Sequence, residues 1–498
     1  MPLRRDLLIE HLHALQARFG GLHADHLLAL AGMLRLAPVE VHEVASFYAH
    51  FDLLPDGAGP PPRRIRVCEG LPCAMAGAAA LRRAMQNEPG ARVIAAPCMG
   101  ACHRAPAATI GHHLVEHATP ERLRAPPPAA ASAPARAFAA PPRAFAAPPD
   151  VGTMLARLDL SGLRGLGGAG FPAARKWRLV RAQPGPRHLV VNADEGEPGT
   201  FKDRHCLETD PRRVLEGMLL AARAIEAEAC WFYLRDEYAH LHGMLAREIA
   251  SLGAAMPIHL RRGAGAYICG EESALLESLE GRRGYPRHKP PYPAEHGLFG
   301  RPTLIHNVET LWFLPEILAS DEAAAEHGRT RPRFYSVSGR VRAPGVVQAP
   351  SGTTARALIE RCGGMAEGHR FAAYLPGGAS GGILPAGMAD IPLDFGTLEP
   401  LGCFVGSGAV VVLSDQDDLA EAARNLLRFF RDESCGQCTP CRVGTAKAAR
   451  LLDAPRWDRA LLTELAQAMA DGSICGLGQA AMNPVLSLLR HFPPEAVP

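Results

Sequence analysis

"GLRGLGGAGFPAARKW" occupies residues 162–177, and within it Gly165-Leu166-Gly167-Gly168-Ala169-Gly170 satisfies the dinucleotide fingerprint G-x-G-x-x-G. A Rossmann phosphate turn needs a buried strand immediately before it and a helix opening within it. Upstream, VGTMLARLDLSGLRG carries no β-branched run and predicts a helix followed by a turn. Downstream, FPAARKW does not open a long helix, and no clear strand end carries an acidic residue at the ribose-binding distance. The context therefore rejects a Rossmann turn. The glycines still permit positive φ and a close approach of backbone to ligand. Successive N–H groups in such a loop make an anion-binding concavity. Arg164, Arg175 and Lys176 flank it with positive charge. The stretch is predicted to cradle a phosphate-bearing or flat anionic ligand.

Around this loop the chain alternates strands and helices. RHLVVNAD, ACWFYLRD and MPIHLRRG read as strands, with RRVLEGMLLAARAIEA and EYAHLHGMLAREIASLG as helices between them. Such alternation predicts a parallel sheet, whose ligands bind beyond the carboxyl ends of the strands. NADEGEPG and GAGAYICGEES fall at such ends. Residues 331–415 change character: RFYSVSGRVRAPGVVQAP reads as a hairpin, ARALIERCGG as a helix and CFVGSGAVVVL as a strand. Residues 416–498 are helical again, as are residues 7–50. Residues 118–150 form an Ala/Pro linker containing RAFAAPP twice in tandem, too poor in apolar side chains to build a core.

The chain has 498 residues, a net charge of +2 and no long apolar run, which gives no reason to expect nucleic acid binding or membrane insertion. No secretion signal opens it, so a cytoplasmic location is expected. In that reducing setting 13 cysteines need another explanation than disulfides. Eight of them form two groups. Cys435-x-x-Cys438-x-x-Cys441 with a distant Cys475 is the three-plus-one spacing of a [4Fe–4S] cluster. Cys68-x4-Cys73 and Cys98-x3-Cys102 are a two-plus-two set, suited to [2Fe–2S]. Structural zinc is the rival at both sites. Two one-electron centres flanking an α/β domain call for a group that converts hydride to single electrons, which a flavin does.

GLRGLGGAGFPAARKW, NADEGEPGTFKDR, YICGEESALLESLEG, KPPYPAEHGLFGRPTLIHNVET and ESCGQCTPCRVGT resemble, in order, the signatures of the NADH-binding flavoprotein subunit of respiratory complex I. The resemblance covers residues 151–498. Residues 1–117, with EVASFYAHF, CEGLPC and APCMGACHRAP, resemble the thioredoxin-like [2Fe–2S] subunit of the same complex. The fusion resembles the β subunit of soluble NAD-dependent molybdenum or tungsten formate dehydrogenases, and also the diaphorase subunit of NAD-reducing hydrogenases. SICGLGQAAMNPVLS is more similar to these soluble enzymes than to complex I.

The resemblance implies an α/β multidomain fold: N-terminal helices plus a thioredoxin-like domain, a Rossmann-like FMN- and NAD-binding domain over 151–330, a ubiquitin-like (β-grasp) domain over 331–415 and a C-terminal helical bundle. It implies that FMN is held by Gly165, Gly167, Gly168, Lys176, Asn192, Asp194, Glu195, Tyr267, Gly270, Glu271, Glu272, His306, Asn307 and Thr310. NAD(H) would meet Phe171, Glu197, Lys289 and Tyr292. Hydride would pass directly between the two, without an acid or base from the protein. The implied partners are a large catalytic subunit and a small [2Fe–2S] subunit. Three departures from relatives stand out: Leu166 replaces an arginine, with Arg164 placed to compensate; His306 replaces an asparagine and is expected at the flavin phosphate; Leu179 replaces an aromatic near the adenine. An iron–sulfur scaffold without flavin is the non-enzymatic alternative.

Overall fold

The computed structural model describes residues 1–494 apart from 56, 58, 60–62 and 127–148. The tandem RAFAAPP repeat thus lies almost wholly outside the described residues. Three sheets organise the rest. Strands β1 (Arg63–Cys68), β2 (Ala91–Ala96), β3 (Ala108–Ile110) and β4 (His113–Val115) pair in the order β2-β1-β3-β4, with β1 parallel to β2 and antiparallel to β3. Ala118 and Leu123 are buried in this unit's core, Leu123 on the short helix Pro120–Arg124. The first unit therefore extends past residue 117, because an apolar side chain on that helix has a core to enter.

Strands β5 (Arg187–Ala193), β6 (Ala227–Leu234), β7 (Ile258–Arg262) and β8 (Thr303–Asn307) form an all-parallel sheet, β7-β6-β5-β8. Three of these strands follow the sequence pattern; β8, within GRPTLIHNVET, is an addition. A parallel sheet is covered on both faces. Leu189, Val191, Phe232 and Leu304 pack under the helices Pro211–Ala224 and Val308–Ile317. On the other face Val190, Trp231, Tyr233 and Ile305 share one core with Leu8, Leu12, Val41, Val44 and Tyr48. The N-terminal helices Leu8–Phe19, Ala24–Leu34 and Pro38–Phe47 thus cover the parallel sheet. Tyr48 anchors the contact, its hydroxyl donating to the Arg282 carbonyl at 2.8 Å.

The third sheet, β10-β9-β13-β11-β12, joins β9 (Pro332–Gly339), β10 (Gly345–Pro350), β11 (Phe371–Leu375), β12 (Leu384–Pro385) and β13 (Ala409–Ser414). β9 and β10 make the expected hairpin, and β13 returns parallel to β9. Helices Leu419–Asp432, Thr439–Leu452, Arg459–Gly472 and Asn483–His491 close the chain. Among the described residues no helix is long and apolar enough to cross a membrane.

Candidate functional site

The glycine stretch is a loop closed at its neck. Gly165 N–H donates to the Phe171 carbonyl at 2.8 Å, and Ala173 N–H to the Leu163 carbonyl at 2.9 Å. The helix Ala173–Arg181 begins directly after it, a shorter element than a Rossmann turn would feed. Gly170 sits at φ +64°, where a Cβ would lie 2.6 Å from the Phe395 ring. Arg164 staples the loop from inside: Nε donates to the Gly170 carbonyl at 2.5 Å, and the guanidinium lies 4.9 Å over the Phe395 ring. It is therefore engaged in holding the loop rather than replacing a lost flavin contact. Leu166 is buried in the helix-covered core, and only its N–H reaches a polar group, Thr310 Oγ1 at 2.9 Å.

This loop forms one wall of a cavity of about 400 Å³, within the usual range for cofactor sites. Gly167, Gly168, Asn192, Asp194, Glu195, Glu197, Tyr267, Gly270, Glu271 and Asn307, all among the residues named from the resemblance, line it together. Apart from the two glycines of the loop, they come from the carboxyl ends of β5 and β8 and the loop after β7, where a parallel sheet places its ligands. Asn192 is locked, donating to the Gly270 carbonyl at 2.9 Å and accepting from Asp194 N–H at 3.0 Å. Glu195 accepts from the N–H groups of Asp203 at 2.8 Å and Arg204 at 3.1 Å, and burial pushes it up to about 7. Burial also raises Asp194 well above the carboxylate range, and its Oδ2 has no hydrogen-bond partner among the described residues. A buried acceptor at the edge of a cavity fits a hydroxyl-rich ligand such as a ribityl chain.

Glu197 is clamped from two sides. Tyr267 OH donates to Oε2 at 2.5 Å, while Ser380 donates to Oε1 through N–H and hydroxyl, both at 2.7 Å. Ser380, Phe404, Gly406 and Ser407 bring the β-grasp domain into the wall, and Leu477 and Ala480 bring the C-terminal helices. Lys202 and Asp203 lie in it as well. Sequence reading missed this second wall; GGASGG at 377–382 and GSG at 406–408 were its only local signals.

Other implied residues stand beside the cavity rather than in its wall. Lys176 meets Glu272 at 3.2 Å; Lys289 meets Glu271 at 2.8 Å and Glu272 at 3.1 Å. Glu271 also caps the helix Glu272–Leu279, accepting from Ala274 N–H at 2.8 Å. Thr310 is bound to the Asn307 side chain at 3.0 Å. Phe171, Tyr292 and Leu179 are exposed. His306 departs most from expectation. Adjacent residues of a strand point to opposite faces, so with Asn307 at the cavity His306 is turned into the core. There its Nε2 accepts from Trp177 Nε1 at 2.8 Å.

The second cysteine group encloses its own small pocket. Cys435, Cys438, Cys441 and Cys475 line it with Ile268, Ile474 and Leu477. Cys438 and Cys475 stand at the N-termini of the helices Thr439–Leu452 and Gly476–Ala480. A Cβ at Gly478 would lie 2.8 Å from the Cys441 Cβ, so the glycine keeps the space beside the ligand. Ile268 and Leu477 line both this pocket and the large cavity.

The first group comes from separate segments: the end of β1 (Cys68), the helix Leu71–Met75 (Cys73) and the loop after β2 (Cys98, Cys102). All four are buried, with Cys98 and Cys102 sulfurs 3.3 Å apart. Phe201, from the domain of the parallel sheet, packs on Cys98 and Cys102 and stacks with His103 at 4.4 Å. Among the described residues no three His, Cys, Asp or Glu side chains are arranged to hold a single metal ion. Ligands of a cluster bind different irons and need not converge on one point.

A glycine-cradled cavity sharing a wall with a four-cysteine pocket, and a second buried cysteine set, define an iron–sulfur flavoprotein. Family models agree along the chain: thioredoxin-like [2Fe–2S] ferredoxin over residues 1–125, the Nuo51 FMN-binding domain over 158–316, the SLBB domain over 334–384 and the NADH-ubiquinone oxidoreductase-F iron–sulfur binding region over 421–497. The second F subunit of NADH-quinone oxidoreductase from Rhizobium meliloti is 41% identical over 362 residues, covering 68% of this chain and 86% of the relative. The F subunit of the Aquifex aeolicus enzyme is 41% identical over 361 residues, covering 68% and 84%. A crystal structure of NAD+-reducing [NiFe]-hydrogenase in the H2-reduced state matches with a TM-score of 0.85 at 34% identity, covering 98% of this chain and 92% of that one. The chain belongs to the family of NADH-quinone oxidoreductase F subunits, with a thioredoxin-like [2Fe–2S] domain fused at its N-terminus. It is an NAD(H)-dependent oxidoreductase subunit whose cofactors are FMN, [4Fe–4S] and [2Fe–2S].

Proposed function

We propose that this chain is the diaphorase subunit of a soluble, cytoplasmic NAD-dependent molybdenum or tungsten formate dehydrogenase. Bound FMN would exchange a hydride with NAD(H) and single electrons with the iron–sulfur centres. The loop at Gly167 and Gly168, with Asn192, Asp194, Glu195 and Asn307, would hold the flavin. Glu197, fixed by Tyr267 and Ser380, would orient the nicotinamide, so the protein's contribution is placement rather than proton transfer. Phe171 and Tyr292 offer exposed rings for the adenine, and Lys289, paired with Glu271 and Glu272, would meet the dinucleotide. The observation that carries the reading is the shared wall: Ile268 and Leu477, both buried, are the apolar partition between the cavity and the Cys435 pocket. Water is thereby kept from the path on which electrons leave.

SICGLGQAAMNPVLS resembles the soluble enzymes, formate dehydrogenase and hydrogenase alike, more than complex I. The match to a hydrogenase chain over 98% of this one favours a second reading, the diaphorase of an NAD-reducing hydrogenase. Native purification decides between them. A large partner carrying molybdenum or tungsten, together with a small [2Fe–2S] subunit, is expected; a nickel partner selects the second reading. FMN released on denaturation and NADH-driven reduction of an artificial acceptor are expected of the chain. Iron without any flavin that binds or can be restored would leave only a scaffold.

A further inference from the structure

Arg235 follows β6 and is 3% exposed. Its Nη2 donates to the Cys98 carbonyl at 2.7 Å, and its Nη1 donates to the main-chain carbonyl of Glu195. The first acceptor belongs to a ligand of the N-terminal cluster, the second to the cavity wall. Arg235 N–H also donates to the Ala193 carbonyl at 3.2 Å, which fixes it to the end of β5. Glu237 partners the guanidinium at 2.9 Å. The Tyr238 ring lies 5.2 Å from it, and Tyr238 OH donates to Glu195 Oε2 at 2.8 Å. That hydroxyl occupies the space beside Gly100, where a Cβ would lie 2.1 Å from it. Gly100 stands between Cys98 and Cys102. One segment, Arg235 to Tyr238, therefore touches both redox sites.

We propose that Arg235 is a positioning residue shared by the two sites, its buried charge setting the reduction potentials of the [2Fe–2S] cluster and of the flavin together. An added electron is stabilised by a nearby positive charge, more strongly where water is excluded. Cluster potentials respond to local charge and hydrogen bonding. The field of Arg235 reaches both places. It also opposes the burial that raises Asp194. The flavin half of the proposal rests on the cavity being the FMN site; the cluster half does not.

Redox titration of the full chain tests it, read by EPR for the clusters and by absorbance for the flavin. Glu237→Gln is isosteric and uncovers the guanidinium; both midpoints should rise. Arg235→Gln should lower both, changing the reduced-to-oxidised ratio at fixed potential roughly tenfold, about 59 mV for a one-electron couple. Arg235→Lys keeps the charge and should stay near the parent. The Cys435 cluster is the internal comparison and should move less than the [2Fe–2S] cluster, because Arg235 and Glu237 also act on Glu433 beside it. An unmoved [2Fe–2S] midpoint in loaded Glu237→Gln protein overturns the proposal, as does Arg235→Lys shifting as far as Arg235→Gln. A cluster midpoint that moves while the flavin stays put refutes the shared role. A chain that takes up no flavin sinks the function proposed above, and the cluster midpoint still decides whether Arg235 acts on its neighbour.

Discussion

Cys435, Cys438 and Cys441 lie on one turn at a helix start, with two of the three half-buried; Cys68, Cys73, Cys98 and Cys102 are buried and come from three segments. The first group meets the cavity through apolar side chains, Ile268 and Leu477. The second meets it through Arg235 and Tyr238, a charged and hydrogen-bonded connection. An apolar partition shortens a route without holding charge, whereas a buried guanidinium shifts the energy of whatever lies beside it. The difference predicts that electrons pass through the C-terminal site while the N-terminal one is tuned by charge.

Serine substitutions at the two sites test that division most severely. Cys475→Ser removes a ligand whose thiol burial pushes up to about 12, so only metal binding would keep it ionised. This variant should lose the [4Fe–4S] EPR signal and electron delivery to the large partner subunit, while NADH still bleaches the flavin. Cys102→Ser should lose the [2Fe–2S] signal yet leave delivery through the other cluster near that of the parent. Equal loss of delivery in both variants would break the comparison.

Asp194 tests the cavity that the two sites share. Its carboxyl is raised by burial, and one oxygen has no partner among the described residues. The folded protein therefore keeps a proton that the unfolded chain releases, and stability falls as pH rises above the ordinary aspartate value near 3.8. Asp194→Asn should stabilise flavin-depleted protein by about 1–3 kcal/mol at neutral pH, more at pH 8 than at pH 5. The same change should weaken FMN retention, measured by dialysis against flavin fluorescence. A variant that holds FMN as firmly as the parent would place the carboxylate outside the flavin site.

Much of this site is local in sequence. β5 and its loop carry Asn192 to Glu197 in six consecutive residues, and the cysteine spacings identify both sulfur sites. What escaped reading is made by contacts between distant segments. Ser380 reaches Glu197 across 183 residues, and Arg235 reaches Cys98 across 137. The N-terminal helices read correctly as helices, but nothing in LLIEHLHALQARFG says that its apolar stripe covers the face of Val190 and Trp231. Amphipathic spacing tells which face is buried, never against what.

His306 offers the smallest and most discriminating test, because the sequence placed it at the flavin and the fold places it in the core. Burial, then the Lys176 charge, pushes its imidazole down to about 3, so it stays neutral and accepts from Trp177. The unfolded chain takes up a proton on this histidine below about pH 6.5, which the folded chain refuses. Stability therefore falls as pH drops from that value toward the folded one. His306→Asn forfeits the Trp177 bond and should cost about 1 kcal/mol at pH 8. It also removes the acid penalty, which grows by about 1.4 kcal/mol per pH unit. The thermal midpoints of variant and parent should converge on acidification and cross by about pH 5. FMN affinity should stay at the parent's value throughout; a drop in affinity without a change in midpoint would return His306 to the cavity.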